Sequence, residues 1–334
     1  PAMRKRYLIA ANGEQSIRED IADVYRCVEA IESVLFAHGD DVAILSLQKK
    51  DFSSLKKLYA KIEQYHPSCI VNLFEGFSDD SAQEITFARV LEHIGIPFTG
   101  NTAATLALCL DKYRSKVTLR RRNVPVPAGV LMKRYSEMPL KRLGLPLFIK
   151  PDQEDASVGI CDDSLINTIA DFRHVVPRKL HEFPAGIIVE EFISGPEYNV
   201  GFIGNGPYEL LGISVLDYSQ YQQCHPFLTY RAKWDTLADE YTALTPIVNK
   251  EIPLALRETI ISCARKAGQV SKCLGYFRVD LRQKGDEVCV LDVNPNPDIN
   301  KDSGFMRQAY AHGYTFEHII SKIITHAVTG KTIA

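Results

Sequence analysis

The 334-residue chain has no apolar run approaching the roughly 20 residues that a membrane-crossing helix needs. It opens Pro1-Ala2-Met3-Arg4 and runs straight into a short strand pattern, with no basic-then-apolar leader to read. It also lacks CxxC spacing. The eight cysteines (Cys27, Cys69, Cys109, Cys161, Cys224, Cys263, Cys273, Cys289) are scattered through apolar segments. That pattern argues against a disulfide framework or a zinc site and for reduced, mostly buried thiols in a cytoplasmic protein. An excess of positive charge is missing as well. With 39 Lys+Arg against 41 Asp+Glu the formal net charge is -2, which argues against a nucleic-acid partner. Finally, no GxGxxG follows the first strand, and no Ser/His/Asp or Cys/His motif is evident. A dinucleotide fold therefore gains little support, and no protein nucleophile suggests itself.

What remains is an ordinary globular composition, 46% apolar and 24% charged, long enough for about two domains. Over the first hundred residues strand and helix signals alternate: strands at 7–11, 42–47 and 69–74, helices at 19–38, 53–65 and 81–94. This alternation predicts an α/β domain with a parallel sheet and ligand-facing loops at its carboxyl edge. A helix is expected over 102–122, and Pro125 and Pro127 mark a linker. The strand-like segments 187–192, 198–203 and 209–216 predict an antiparallel sheet. The stretch 219–236 is polar, aromatic-rich and without periodicity, and a loop of that length in a compact protein is usually functional or mobile. A helix at 253–273, a strand pair at 276–293 and two closing helices complete the reading.

The strongest chemical signal is Arg278-Val279-Asp280 with Leu291-Asp292-Val293-Asn294. Strand alternation turns Arg278 and Asp280 one way, and Asp292 and Asn294 likewise. If the intervening loop is Gly285, Asp286 and Glu287, Asp280 lies opposite Asp292. A two-residue loop would shift the register by one and separate the carboxylates. The first register gathers two carboxylates, an amide oxygen and a guanidinium, a set suited to Mg²⁺ held together with phosphates. The alternative is a solvent-facing hairpin with an Arg–Asp ion pair. Lys112 near a helix start, and Lys150 closing a strand before the small-residue loop 152–159, can reach a phosphate, although a lysine so placed is more often a surface residue. The segment from Ile188 to Glu197 reads as a strand, a Gly-Pro turn and a carboxylate, either a nucleotide edge or an acidic hairpin.

In their shared order these segments resemble the ATP-grasp superfamily, in the branch of the D-alanine–D-alanine ligases, closely from about residue 145 to 305 and more loosely before. The resemblance implies an ATP-grasp fold behind an N-terminal parallel-sheet domain, with an N-terminal unit 1–100, a central lobe 101–186 and a C-terminal lobe 187–334. It implies that Lys112, Lys150 and Ser157 contact ATP phosphates. Glu190, Glu191, Phe192 and Ile193 would hold adenine, and Glu197 the ribose. Asp280, Asp292 and Asn294 would ligate two Mg²⁺ ions, with Mn²⁺ an acceptable substitute. Arg278 would stabilise the transferring phosphoryl group or the tetrahedral oxyanion. Lys233 would come in on a closing loop at 219–236 that orders with ligand. Ser303 would receive a substrate carboxylate, Glu19 a substrate ammonium, and Glu75 would stand near the substrate. Homodimers are common in the family.

Departures concern the substrate. Ala156 and Trp234 stand where the family links a serine and a tyrosine to an N-terminal glutamate. Asp298 replaces a glycine, Asp292 is a methylene shorter than the usual glutamate, and Leu73-Phe74-Glu75-Gly76 stands near the family's Leu-His-Gly. The expectation is an ADP-forming carboxylate–amine ligase acting on an amino acid or small peptide-like acid. A true D-alanine–D-alanine ligase and a non-catalytic ATP-binding regulator are the alternatives.

Overall fold

The computed structural model describes residues 4–14, 19–154, 157–218, 226–235, 244–248 and 250–330. In the N-terminal unit, β1 (Arg6–Asn12) lies between β2 (Asp41–Leu47) and β3 (Cys69–Asn72), all parallel. A parallel strand covered on both faces must be apolar where it is covered, and the Tyr7–Ala11 run of β1 is. Its Tyr7, Ile9 and Ala11 pack toward α1 (Glu19–Ala37), while Leu8 and Ala10 join a second cluster with α2 (Leu55–Glu63) and α3 (Gln83–Ile94). α3 stops at Gly95, whose φ of 75° closes the helix in the left-handed conformation.

The single helix expected over 102–122 is two, α4 (Ala103–Leu110) and α5 (Lys112–Arg121). They break at Asp111, whose carboxylate accepts from the Arg114 amide and caps α5. The break makes Lys112 the first residue of α5, with Lys116 one turn on along the same face.

The next unit is built from β4 (Gly129–Met132), α6 (Met138–Leu143), β5 (Leu147–Pro151), β6 (Leu165–Ile166), α7 (Ile169–Glu182) and β7 (Ile187–Glu191). Its antiparallel sheet has the order β4-β7-β5-β6, with Phe172, Val175 and Val176 of α7 packed against it. β7 was expected to join the strands that follow, but it pairs with β4 and β5. We propose that the lobes divide after β7, just beyond the expected residue 186.

The remaining elements are β8 (Glu197–Ile203), β9 (Glu209–Leu216), α8 (Tyr230–Trp234), β10 (Ile247–Val248), α9 (Leu254–Val270), β11 (Tyr276–Lys284), β12 (Glu287–Pro295), α10 (Gly304–Ala311) and α11 (Phe316–Gly330). Their sheet has the order β10-β9-β8-β11-β12 and is antiparallel, as the strand pattern implied. α9 covers one face, and Phe305, Met306, Ile319, Ile320 and Ile323 of α10 and α11 carry the other side into the N-terminal core. Of the expected closing segment 219–236, residues 219–225 and 236 lie outside the described residues, so its expected ordering with ligand falls outside them too.

The β11–β12 hairpin departs from the expected geometry and still reaches the expected result. Its loop is Gly285-Asp286 alone, with Lys284 opposite Glu287 and Gly285 at φ 64°, as a primed two-residue turn requires. Regular pairing from that turn would set Leu291 against Asp280 and send Asp292 into the core. A β-bulge between Asp280 and Leu281 absorbs Leu291, so Asp280 pairs with Asp292 and Arg278 with Asn294.

The sheet bearing these residues is backed tightly by α9. A Cβ on Gly268 would land on the buried ring of Phe277. Gly268→Ala should therefore lower stability by about 1–3 kcal/mol through overpacking. An exposed helix would gain about 1 kcal/mol from the same change. Urea unfolding measures the sign, and a stabilised variant would show that α9 can lift off the sheet.

Candidate active site

A cavity of about 480 Å³ opens between the four-stranded and five-stranded sheets. Its floor is a chain of buried charges. Lys150, at the end of β5, lies 3.0 Å from Asp292 on β12 and 3.6 Å from Glu190 on β7. Lys112 stands 3.9 Å from Asp292, and Lys116 stands 3.1 Å from Glu190. Burial opposes ionisation of Asp292, yet Lys150, Lys112 and Lys116 hold its carboxyl below the usual aspartate range. Burial likewise works against Lys150, but Asp292 and Glu190 outweigh it and raise its pKa. For Lys116 burial wins over the pull of Glu190, and its pKa falls. Asp152 sets Lys112 and Lys150 in register. Its carbonyl accepts from the Lys112 amide at 3.2 Å and its carboxylate accepts from the Tyr113 amide at 2.9 Å, tying the end of β5 to the start of α5.

Beside this chain, Asp280 is fully engaged. Arg278 donates to both of its oxygens from Nε and Nη2, at 2.7 and 2.9 Å. Asn199 of β8 and Asn294 of β12 donate to it at 2.9 and 2.8 Å. Burial works against the Arg278 charge, but Asp280 more than offsets it and raises the guanidinium pKa. Since Asn294 donates through its amide nitrogen, its carbonyl oxygen is left for another partner. Among the described residues no group of three or more His, Cys, Asp or Glu side chains is placed to hold a metal. The oxygens at hand are those of Asp280, Asp292 and Asn294.

The other end of the cleft is apolar. Phe148, Phe192 and Phe227 meet at ring distances of 5.1 to 6.5 Å, with Ile193 beside them. Glu197 lines the cleft there and accepts from Arg282 at 3.3 Å and from the Tyr218 hydroxyl at 3.0 Å. Arg282 also donates to the Ile193 carbonyl at 2.7 Å and lies over the Tyr218 ring at 4.6 Å.

A family model described as D-ala D-ala ligase C-terminus matches residues 129–325. The chain belongs to that family. A D-alanine--D-alanine ligase B of Chromobacterium violaceum is 28% identical over 87% of this chain and 88% of its own length. A D-alanine--D-alanine ligase of Glaesserella parasuis is 28% identical over 70% of this chain and 73% of its own. The crystal structure of the D-alanine--D-alanine ligase of Bacillus anthracis complexed with ATP superposes with a TM-score of 0.77 at 20% identity, covering 97% of both chains. The fold is thus the ATP-grasp fold behind a parallel-sheet domain.

Of the expected site residues, the cleft gathers Lys112, Lys150, Ser157, Glu190, Glu191, Phe192, Ile193, Glu197, Lys233, Arg278, Asp280, Asp292, Asn294 and Ser303 along its wall. Two of them are occupied otherwise than expected. The Glu190 carboxylate sits among lysines. That of Glu191 is taken by the Ala128 amide at 3.0 Å and by Lys284 at 2.7 Å, tying β7 to the hairpin turn. Glu75 is not on the main cleft. It is exposed and lines a smaller neighbouring cavity with Glu84, Asn296 and Asp298, the last of which borders both. Glu19 opens α1, but its side chain lies outside the described residues, as do Ala156 and the Trp234 side chain. Sequence reasoning missed Lys116, Asn199 and Arg282. Helical spacing from Lys112 marks the first, and strand alternation from Glu197 and from Asp280 marks the other two.

Two tests address this electrostatics. Lys116 and Glu190 are buried partners, so Glu190→Gln should cost about 3–5 kcal/mol by stranding a lysine. Glu190→Gln combined with Lys116→Met should cost clearly less than the sum of the single changes in denaturant unfolding, and additive losses would mean the two are not coupled. Separately, a depressed Asp292 pKa stabilises the fold above the ordinary aspartate value of about 3.9, and that stabilisation disappears as pH falls toward the folded value. Asp292→Asn should therefore flatten the acid limb of stability against pH, measured by urea unfolding between about pH 7 and pH 3. An equally steep limb in the variant would assign the acid sensitivity to other carboxylates.

Proposed function

We propose that the protein is an ATP-dependent, ADP-forming carboxylate–amine ligase that joins two small substrates through an acyl phosphate, the activated acid being an amino acid or small peptide-like acid. The observation that carries this reading is the convergence of Lys112, Lys150 and Arg278 with Asp280, Asp292 and Asn294 beside an aromatic slot in one cleft. A purine fits that slot. Three phenylalanine rings wall it, with Ile193 beside them. Glu197 would hold the ribose hydroxyls.

Asp292 and the Asn294 carbonyl would hold Mg²⁺, two ions with ATP, or Mn²⁺ in its place, joined by Asp280 once one of its four hydrogen-bond donors gives way. Two carboxylates and an amide suit a hard ion that takes its remaining ligands from phosphates. Bound there, it would supply charge neutralisation to the phosphates. The rest of the work belongs to side chains. Lys112 and Lys150 offset charge on the phosphates, and Lys233 reaches toward them from α8. The substrate carboxylate attacks the terminal phosphorus and ADP leaves. The amine then attacks the acyl carbon, and the carbon–oxygen bond to phosphate breaks. Arg278 stabilises the oxyanion between these two events. Ser303 Oγ accepts from the Met306 amide, so its hydroxyl proton is available to a substrate carboxylate. A cytoplasmic setting accords with the free thiols of the seven described cysteines.

The test is ADP release against panels of paired amino acids, with D-alanine alone as one arm. Wild-type protein should turn over at least one acid–amine pair, and Asp292→Ala should lower the rate by about 10²-fold or more. Turnover of D-alanine alone would make it a D-alanine–D-alanine ligase proper. ATP binding with no turnover of any pair would overturn the ligase reading in favour of a regulator.

A further inference from the structure

The substrate end of the cleft contains a cation that the ligase chemistry does not use. Arg307 stands in the first turn of α10, its amide donating to the carbonyl of the capping residue Ser303, and both side chains line the cleft. Between them Gly304 leaves room, since a Cβ there would come near only Arg307 Nη2, at 3.7 Å. The guanidinium is under-used. Its Nη1 donates to the Asp302 carbonyl at 3.0 Å, whereas its Nε is buried with no hydrogen-bond partner. Arg26 also lines the cleft, and two further arginines there have acidic partners. Arg278 holds Asp280 with its fork and Arg282 pairs with Glu197. Among the described residues no ion pair joins Arg307 to a carboxylate. Of the nearby acids, Asp302 is exposed and Asp298 accepts from the Asn300 amide at 2.8 Å.

The next residue fixes where Arg307 points. Gln308 is fully buried and donates to the Asn199 carbonyl and to Ser214 Oγ, both at 2.9 Å. Its Oε1 sits against Gly201, where a Cβ would collide with it. α10 is thereby locked in rotation, and Arg307 is held at the cleft wall with its Nε–Nη2 edge short of a partner on Nε. That edge is the planar two-donor fork that matches a carboxylate. A buried donor without a partner costs free energy, and a ligand group that supplies the partner recovers it.

We propose that Arg307 is a specificity residue selecting a substrate with a second carboxylate, an acidic amino acid, beyond the carboxylate received by Ser303. This rests on the ligase reading for the chemistry and names the substrate class of the same site. It is tested by calorimetric titration of the protein, loaded with Mg²⁺ and a non-hydrolysable ATP analogue. The probes are the D- and L-forms of aspartate and glutamate against asparagine and glutamine, followed by ADP release with the same compounds. The acids should bind roughly 10–100-fold more tightly than their amides. Arg307→Gln should abolish that preference and Arg307→Lys should retain part of it, while both variants bind the nucleotide analogue as wild type does. Amides that bind as well as acids, or a preference that survives Arg307→Gln, would overturn the assignment. Absence of ADP release with every pair would defeat the ligase reading, but the binding preference would still decide the role of Arg307.

Discussion

The structure depends on one connected row of three buried lysines, the buried Glu190 and the partly exposed Asp292. Lys112, Asp292, Lys150, Glu190 and Lys116 follow one another at 3.0 to 3.9 Å. A buried charge that loses its partner costs several kcal/mol, so no element carrying one of these groups can move alone. They come from α5, β5, β7 and β12, which belong to both sheets and to the helix between the first two units. The row thus fixes the spacing of the cleft as well as its charge. With one lysine more than the carboxylates can neutralise, it favours an anion. Phosphates could take over the lysines while a cation took over Asp292, which would leave no charge unpaired during the exchange.

Much of this was legible because it is local. The alternation of Arg278 and Asp280, and of Asp292 and Asn294, follows from strand periodicity, as does the apolar run of β1 from a parallel sheet. The hairpin shows how a correct outcome can hide a wrong intermediate. Asp280 does face Asp292, but through a two-residue turn and a bulge at Leu291 rather than through a longer loop. Pattern alone could not separate these routes, since they differ by moving one residue from turn to strand. The bulge has a consequence the loop lacks, because it leaves Leu291 and Asp292 both lining the cleft.

What was not legible is set by contacts between distant segments. Nothing near Glu190 in sequence says that its carboxylate lies between Lys116 and Lys150, because those neighbours arrive from a helix and from another strand. The Glu191 carboxylate is likewise claimed by Lys284, 93 residues away. The split of the 102–122 helix was missed because Asp111 is compatible with helix by propensity, and only its capping bond to Arg114 shows that it ends one helix and starts another. The place of Glu75 was hidden for a related reason. The N-terminal loop that bears it faces a separate small cavity, and among the described residues only Asp298 lines both that cavity and the cleft.

Substrate choice and phosphoryl chemistry are joined through Asn199. Its side chain donates to Asp280, which holds the Arg278 fork, and its backbone carbonyl accepts from Gln308. Gln308 in turn fixes the rotation of α10 and so the positions of Ser303 and Arg307. Gly201, two residues along β8 and on the same face, must lack a side chain for Gln308 to enter at all. A helix that merely packed against the sheet could turn a few degrees to fit different substrates. One keyed into the sheet through a buried amide cannot, since turning it would break hydrogen bonds that no water can replace. The distance between the group that selects the acid and the groups that activate it is therefore a fixed property of β8, which is how a cleft built on family chemistry can be committed to one class of substrate.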